Sequence, residues 1–482
     1  MKRLLPLLLL FLITVTLTAQ EKSFFYATMD AGNAKEMKKD FPNDIEILAV
    51  KRNVAAVYLS EDASHILHDK ILTHGPGFVF KATKEKAIAG LEIEYGKPKN
   101  MRGNFTITED AVVLQALDLV NTQNIEDHIL TLEAYSTRYH TYASAEQAVL
   151  DLKTQWETMI ANAGRTDISV RIYEHVNTPM PSVILTIEGA ENPDEFVIIG
   201  GHIDSTSNQG NHFAPGADDN ASGIATITEA FRVLLEMEFI PNKTIEIMAY
   251  AAEEIGLVGS AEIAENYNLN NVNVLAYVQF DMTNYKGSGS DVYITTDNYN
   301  SSNLNGFLIE LMDYYNASGS HQFNYGYSIC NYGCSDHYSW AQQGYETSFP
   351  FEASFGQHNP AIHTAGDDYS MSGDAIHATK FTKLALEFLI ETAKTQTTAS
   401  IADSNINTVS FYVQDGILFY QLKNNLSLES ITIYDLNGKN ILNKNTSEIS
   451  GNISLKKLSQ GIYMSVFNFK GKEKIAKKIS IK

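Results

Sequence analysis

Residues 196–223 constrain this chain more than any other stretch. An apolar run, Phe196-Val197-Ile198-Ile199, reads as a buried strand, and Gly200-Gly201 ends it. His202 and Asp204 follow at once. Asp218-Asp219-Asn220 then stands at the mouth of residues 221–236, whose apolar spacing is helical. In an open α/β sheet, ligands gather just beyond the carboxyl ends of strands. A His and a carboxylate delivered there by adjacent loops are donors that zinc accepts. The same Asp residues could equally cap the helix, so the rest of the chain has to decide.

From residue 105 onward helices and strands alternate. Helical spacing covers residues 124–135, 143–163, 260–267, 304–315 and 377–394, the second with an apolar stripe of Leu150, Leu152, Trp156 and Met159. Strand patterns cover 168–173, 181–188, 244–250, 272–279 and 291–296. Such alternation predicts an α/β domain over 105–397, built on a three-layer, mostly parallel sheet. Residues 20–104 read as a separate small α+β unit. Its strands fall within 23–29 and 45–59, its helices at 34–40 and 61–70, and Ser60 is placed to cap the latter. A Gly, Lys, Pro, Asn and Arg cluster at 96–103 reads as a linker. Nothing in this unit points to chemistry. Its position implies a propeptide that assists folding or blocks a site, with an ordinary accessory domain as the alternative.

The N-terminal end speaks of export, and the C-terminal end of a further domain. Lys2 and Arg3 precede an apolar stretch from Leu4 to Leu17, and Ala19 offers a cleavage position, so residues 1–19 read as a signal peptide rather than an uncleaved anchor. No other apolar run is long enough for a stable membrane span. Residues 403–482 change character. Short alternating strands and an Asn437-Gly438 hairpin turn predict a small all-β sandwich. Eleven Lys against six acidic residues after position 402 give this part an excess of +5, within a chain of net charge -21. That overall charge excludes nucleic acid as a partner. The mature protein is expected to act as a monomer.

Four loops, each after an expected strand, carry metal-type residues: His202, Asp219, Glu253-Glu254 and Asp281. A late segment, Asn359-Pro360-Ala361-Ile362-His363-Thr364, adds a second His. Singly, Glu253-Glu254 could be a solvated turn, Asp281 a helix cap and His363 a surface residue. Together, two His, two Asp and two Glu at or near strand ends argue for one shared site. Cys330 and Cys334 are the only cysteines. Export permits a disulfide between them; free thiols or zinc ligation are the alternatives, the latter lacking further Cys partners.

His202-Ile203-Asp204-Ser205, Gly216-Ala217-Asp218-Asp219-Asn220-Ala221-Ser222-Gly223, Ala251-Ala252-Glu253-Glu254, Phe280-Asp281-Met282-Thr283-Asn284-Tyr285 and Ile362-His363-Thr364 resemble the secreted bacterial dizinc leucine aminopeptidases. That family also has glutamate-carboxypeptidase-like and transferrin-receptor-like members, and the resemblance spans about residues 105–397. It implies an extracellular or cell-surface enzyme carrying two Zn2+ per chain. Its substrates would be peptide or protein N-termini, preferably with a large apolar first residue such as Leu. His202 and Asp281 would hold one zinc, Glu254 and His363 the other, and Asp219 would bridge them. Asp219 is chosen over Asp218 because the family's bridging Asp lies four residues before the Gly of the Ser-Gly pair, here Gly223. The peptide after that Asp is cis in the family.

Glu253 would be the general base for a zinc-activated hydroxide, and Asp204 would orient His202. Met282, Tyr332, Phe349, Phe351, Phe355 and Ile362 would line an apolar pocket beside a Cys330–Cys334 disulfide, with Tyr332 also bonding the oxyanion. His358 stands where the family often has Tyr, and Phe349 where it often has Met. A carboxypeptidase or glutaminyl cyclase on the same fold is a rival, as is a binding protein that has lost catalysis. The carboxypeptidase is disfavoured by the lack of an Arg cluster near the ligand loops, the cyclase would need a cyclising geometry, and the binding protein is disfavoured by the full set of ligands. Residues 403–482, with Gly461-Ile462-Tyr463 before a Lys-rich end, resemble the C-terminal sorting module of type IX secretion cargo. That implies contact with the secretion machinery; a spacer or carbohydrate-binding sandwich is the alternative.

Overall fold

The computed structural model describes residues 23–70, 75–92, 105–208, 211–395, 409–414, 416–422, 428–435, 438–470 and 474–481. The expected signal peptide, the linker at 96–103, the compositional break near residue 400 and Asn437 of the expected hairpin lie outside the described residues. The chain divides into two units, Met1–Gln396 and Thr397–Lys482.

Six strands form the central sheet, in the order Thr347–Ser348, Asn273–Gln279, Asn192–His202, Lys243–Tyr250, Ser182–Ile187, Ile168–Tyr173. The first three pairings are parallel and the last two antiparallel. Side chains alternate across a strand, and here they feed two separate cores. Val197 and Ile199 join Ile245 and Ile247 with Phe231 and Phe381 of the helices Gly223–Glu236 and Ile376–Ala393. Ile198 instead joins Met248, Tyr250 and Tyr277 with Ile263 of Val258–Leu269 and Trp340 of His337–Gln342. Fully burying one such aliphatic or aromatic side chain is worth about 1.5–3 kcal/mol. The register sets His202 beside Tyr250 and Gly200 beside Gln279. Three neighbouring parallel strands therefore end at one edge.

The helix Ala143–Ala163 buries a different stripe from the expected one. Ala145, Val149, Leu152, Trp156 and Ile160 face the core, whereas Leu150 is exposed and Met159 only partly buried. Spacings of three and four residues keep one face, and Leu150 lies off it. Gly164, at φ 64°, ends the helix in the left-handed conformation. The strand expected at 291–296 does not enter the central sheet. Val292–Thr295 pairs in parallel with Tyr325–Ser328 and antiparallel with Pro350–Phe351, forming a second, three-stranded sheet.

At the N-terminal side, four antiparallel strands stand in the order Ile45–Lys51, Val54–Ser60, Phe24–Asp30, Phe78–Lys81 around a core of their own. Ser60 Oγ accepts the Ala63 N–H at 3.1 Å and so caps Glu61–Lys70 where the sequence placed it. In the second unit, three- and four-stranded antiparallel sheets share a core that includes Leu418, Tyr420, Ile431, Ile433 and Phe467. Among the described residues no helix is long and apolar enough to cross a membrane.

Candidate metal centre

The loops leaving the three strand ends, with those carrying Asp219 and His363, meet at one buried point. His202 Nε2 lies 3.1 Å from Asp219 Oδ1 and 3.2 Å from Asp281 Oδ1. His363 Nε2 lies 3.2 Å from Asp219 Oδ2 and 3.1 Å from Glu254 Oε2. Asp219 thus turns one oxygen to each imidazole. Two groups result, His202–Asp219–Asp281 and Asp219–Glu254–His363, and the donor atoms within each lie within 4.8 Å of one another. The peptide between Asp219 and Asn220 is cis.

The residues fit a pair of zinc ions. Imidazole nitrogens and carboxylate oxygens are zinc donors. Asp204, Asp219, Asp281, Glu253 and Glu254 crowd negative charge into a site almost closed to solvent. Burying such charge is costly unless a cation compensates it. Burial alone lowers the basicity of His202, yet the carboxylates of Asp281, Asp204 and Asp219 outweigh it and hold the imidazole well above its usual range. Burial pushes Glu253 well above the carboxylate range, with His202 opposing. Neither Glu253 oxygen has a hydrogen-bond partner among the described residues.

The ligand loops are held mostly by side chains that bond main chain. Asp204 accepts the N–H of Glu253 at 3.0 Å and of Glu254 at 3.2 Å, while its own carboxylate lies 3.5 Å from His202 Nδ1. It therefore faces both His202 and the main chain of the Glu253-Glu254 loop. Asn220 joins the Asp219 loop to the Asp281 loop: its Nδ2 donates to the Phe280 carbonyl at 3.1 Å, and its Oδ1 accepts the Met282 N–H at 3.1 Å. Gly201 is required by this closeness, since a Cβ there would stand 2.5 Å from Phe280 O. Ser335 Oγ donates to Asp281 Oδ2 at 2.5 Å. Ala252, Met282 and His363, each in or beside a ligand loop, take left-handed backbone, a conformation that collects at functional sites.

An arginine lies near these loops after all. Arg138 is buried beneath them, with its guanidinium spent on four carbonyls, those of Ile203, Leu132, Pro215 and Gly216, at 2.7–2.9 Å. Nothing in its sequence surroundings marks it. Asn220, Ser335 and Arg138 were all missed by sequence reasoning, because residues that bond distant main chain, as Asn220 and Arg138 do, or a distant carboxylate, as Ser335 does, leave no periodic pattern.

Met282, Phe349 and Phe351 are buried in one small apolar cluster with Cys330 and Cys334, and Tyr332, Phe355 and Ile362 pack against it. All six expected pocket residues and both cysteines thus come together. Cys330 and Cys334 are disulfide-bonded. The second sheet explains the gathering: Phe351 ends its short strand, and Ser328 leads directly into the cysteine loop. Asp297 accepts the N–H groups of Cys330 and Asn331 at 2.9 and 2.6 Å, and Tyr299 donates to the Tyr332 carbonyl. His358 sits against the rings of Phe351 and Phe355.

Fold and site together define an α/β sheet packed on both faces, with a buried set of metal-type donors at its strand ends. Residues 182–387 match peptidase family M28, and residues 414–482 match the secretion system C-terminal sorting domain. The probable leucine aminopeptidase of Arthroderma benhamiae is 30% identical over 331 residues, covering 68% of this chain and 87% of that protein. The LapA aminopeptidase of Legionella pneumophila superposes with a TM-score of 0.68 at 30% identity, covering 77% of this chain and 99% of that one. LapB from the same organism gives 0.68 at 26% identity, covering 77% and 100%. The chain belongs to peptidase family M28; it is a zinc-dependent aminopeptidase with a type IX sorting domain at its C-terminal end.

Proposed function

We propose that the chain removes bulky apolar residues such as Leu from peptide N-termini outside the cell or at its surface, using two zinc ions on a three-layer α/β domain of residues 105–397. The observation that carries this reading is Asp219, whose two oxygens face His202 and His363 separately. His202 and Asp281 would hold one ion and Glu254 and His363 the other, with Asp219 offering an oxygen to each group. When bound, such a pair polarises the scissile carbonyl, anchors the free amine and makes water nucleophilic near neutral pH. Glu253 takes a proton from the attacking water as its oxygen bonds the carbonyl carbon, then delivers it to the leaving nitrogen as the C–N bond breaks. Asp204 holds the His202 ring and the Glu253 main chain in register. The Met282, Phe349, Phe351, Phe355 and Ile362 cluster receives the apolar first side chain, and Tyr332 donates to the oxyanion.

The test is hydrolysis of leucine p-nitroanilide by the purified chain before chelation, after it, and after zinc is restored. The expected outcome is about two zinc per chain, with activity lost and regained in step. Full activity in the stripped protein would sink the reading. A series of N-terminal residues on the same leaving group should rank Leu, Met and Phe above Ala, Lys and Glu.

Residues 20–104 are proposed as a propeptide after a signal peptide of residues 1–19, and residues 403–482 as the module read by the secretion machinery. Contacts around the site support the propeptide. Phe80 N–H donates to Gly256 O at 3.0 Å, just after Glu253-Glu254, and Val79 packs on Leu257 and Tyr338. A Cβ at Gly75 would stand 2.5 Å from Cys334 O. The unit therefore grips the loops of both the base and the pocket. Cleavage within 93–104 should lower KM about tenfold or more, since a tethered unit competes at roughly millimolar effective concentration. Equal KM before and after cleavage would assign the unit to folding alone.

A further inference from the structure

Asp219 can serve two groups only if its main chain is fixed, and the fixing comes from a distant segment. Asp367, four residues after His363, is 1% exposed and points at that main chain. Its Oδ2 accepts the Asp219 N–H at 3.0 Å and its Oδ1 the Asp218 N–H at 3.2 Å, while its carbonyl accepts the Ala217 N–H at 3.0 Å. Its Oδ1 also accepts Asn359 Nδ2 at 2.9 Å. Asn359 lies four residues before His363 and is itself anchored, its N–H donating to Glu352 Oε1 at 3.0 Å. Between the two, Thr364 Oγ1 donates to Ala361 O at 2.6 Å and accepts the Gly366 N–H at 3.0 Å. The loop carrying His363 is thus braced at both ends, and the braces meet at the Asp367 carboxylate, which in turn holds the backbone of Asp218 and Asp219.

We infer that Asp367, seconded by Asn359, is the positioning residue that locks the shared ligand Asp219 to the His363 loop and so sets zinc affinity in the Asp219–Glu254–His363 group. This deepens the two-zinc reading above and rests on it. The side chain has to be a carboxylate. Three N–H groups converge on its two oxygens, and an amide would turn an NH2 toward at least one of them. Its role is exerted through Asp219 and His363, without contact to substrate.

The experiment is zinc titration of the full chain against a competing chelator, alongside kinetics on leucine p-nitroanilide. In Asp367→Asn, affinity for one of the two ions should fall about 10–100-fold. After dialysis, zinc should drop from two toward one per chain. kcat should fall with KM unchanged, and excess zinc should restore it, which a merely misfolded variant would not show. Two tightly held zinc ions in Asp367→Asn would overturn the inference. Where that variant fails to fold, Asn359→Ala decides, with a smaller loss of affinity expected and an unchanged titration overturning it. Asp219→Asn separates the two layers. If it leaves the zinc content of the chain untouched, the metal assignment itself has failed, whatever Asp367 does.

Discussion

Glu253→Gln keeps about two zinc per chain and an unchanged melting temperature, while its kcat on leucine p-nitroanilide falls by about 10²–10⁴-fold, the usual worth of a positioned general base. The expectation follows from what Glu253 touches. It neighbours Glu254 in sequence, but it is in neither donor group. Its backbone is pinned by Asp204, and its oxygens have no hydrogen-bond partner among the described residues. A buried carboxylate without partners costs stability, so its placement needs a function to explain it. Gln has the same shape, keeps the Asp204 bond to the main chain and cannot accept a proton. KM should move little, because an interaction used in the transition state shows in kcat. Zinc analysis on the same samples discriminates: zinc lost in proportion to activity would make Glu253 a ligand and return the base role to another group.

What the sequence shows of the centre and what it hides divide along physical lines. Strand ends announce themselves: an apolar run, a break, then a His or carboxylate, as at Ile199-Gly200-Gly201-His202. The five expected donors and the six pocket residues do meet. Periodicity was a poorer guide where it is degenerate. Leu150 and Val149 both fit a helical stripe, and only packing against the sheet selects Val149. The short strand Pro350–Phe351 has too few residues to show any period, so the second sheet was invisible. Least legible are Asp367, Asn220, Ser335 and Arg138. Each acts on backbone or ligands from far along the chain, and bonds of that kind depend on tertiary closeness alone.

Arg138 should prove the largest single contributor to stability among these. Arg138→Met removes donors from four buried carbonyls at once. Those of Ile203, Pro215 and Gly216 belong to the loops that carry His202 and Asp219, and that of Leu132 ends the helix Thr122–Glu133. The native cost runs the other way. Burial drives the guanidinium down to about 10, with Asp367, Asp204 and Asp219 opposing, so charging this group inside the protein is unfavourable and Met recovers part of that. Leaving buried carbonyls without their donor still costs about 1–3 kcal/mol for each that finds no new partner, out of a total that is commonly about 5–15 kcal/mol. For a domain of this size that is a fall in melting temperature of about 10 °C. Arg138→Lys should recover little, because an ammonium directs three donors from one point where the guanidinium fans out to four acceptors. Thermal unfolding of the zinc-loaded and zinc-stripped proteins separates two effects. If Arg138 only shores up the core, the drop is the same in both. If it shapes the ligand loops, the variant also gains less from added zinc than the parent chain does, since binding energy is then spent on ordering them. A variant that melts within about 2 °C of the parent would mean that water re-pairs the four carbonyls, and the loops would owe their shape to Asn220 and Asp367 instead.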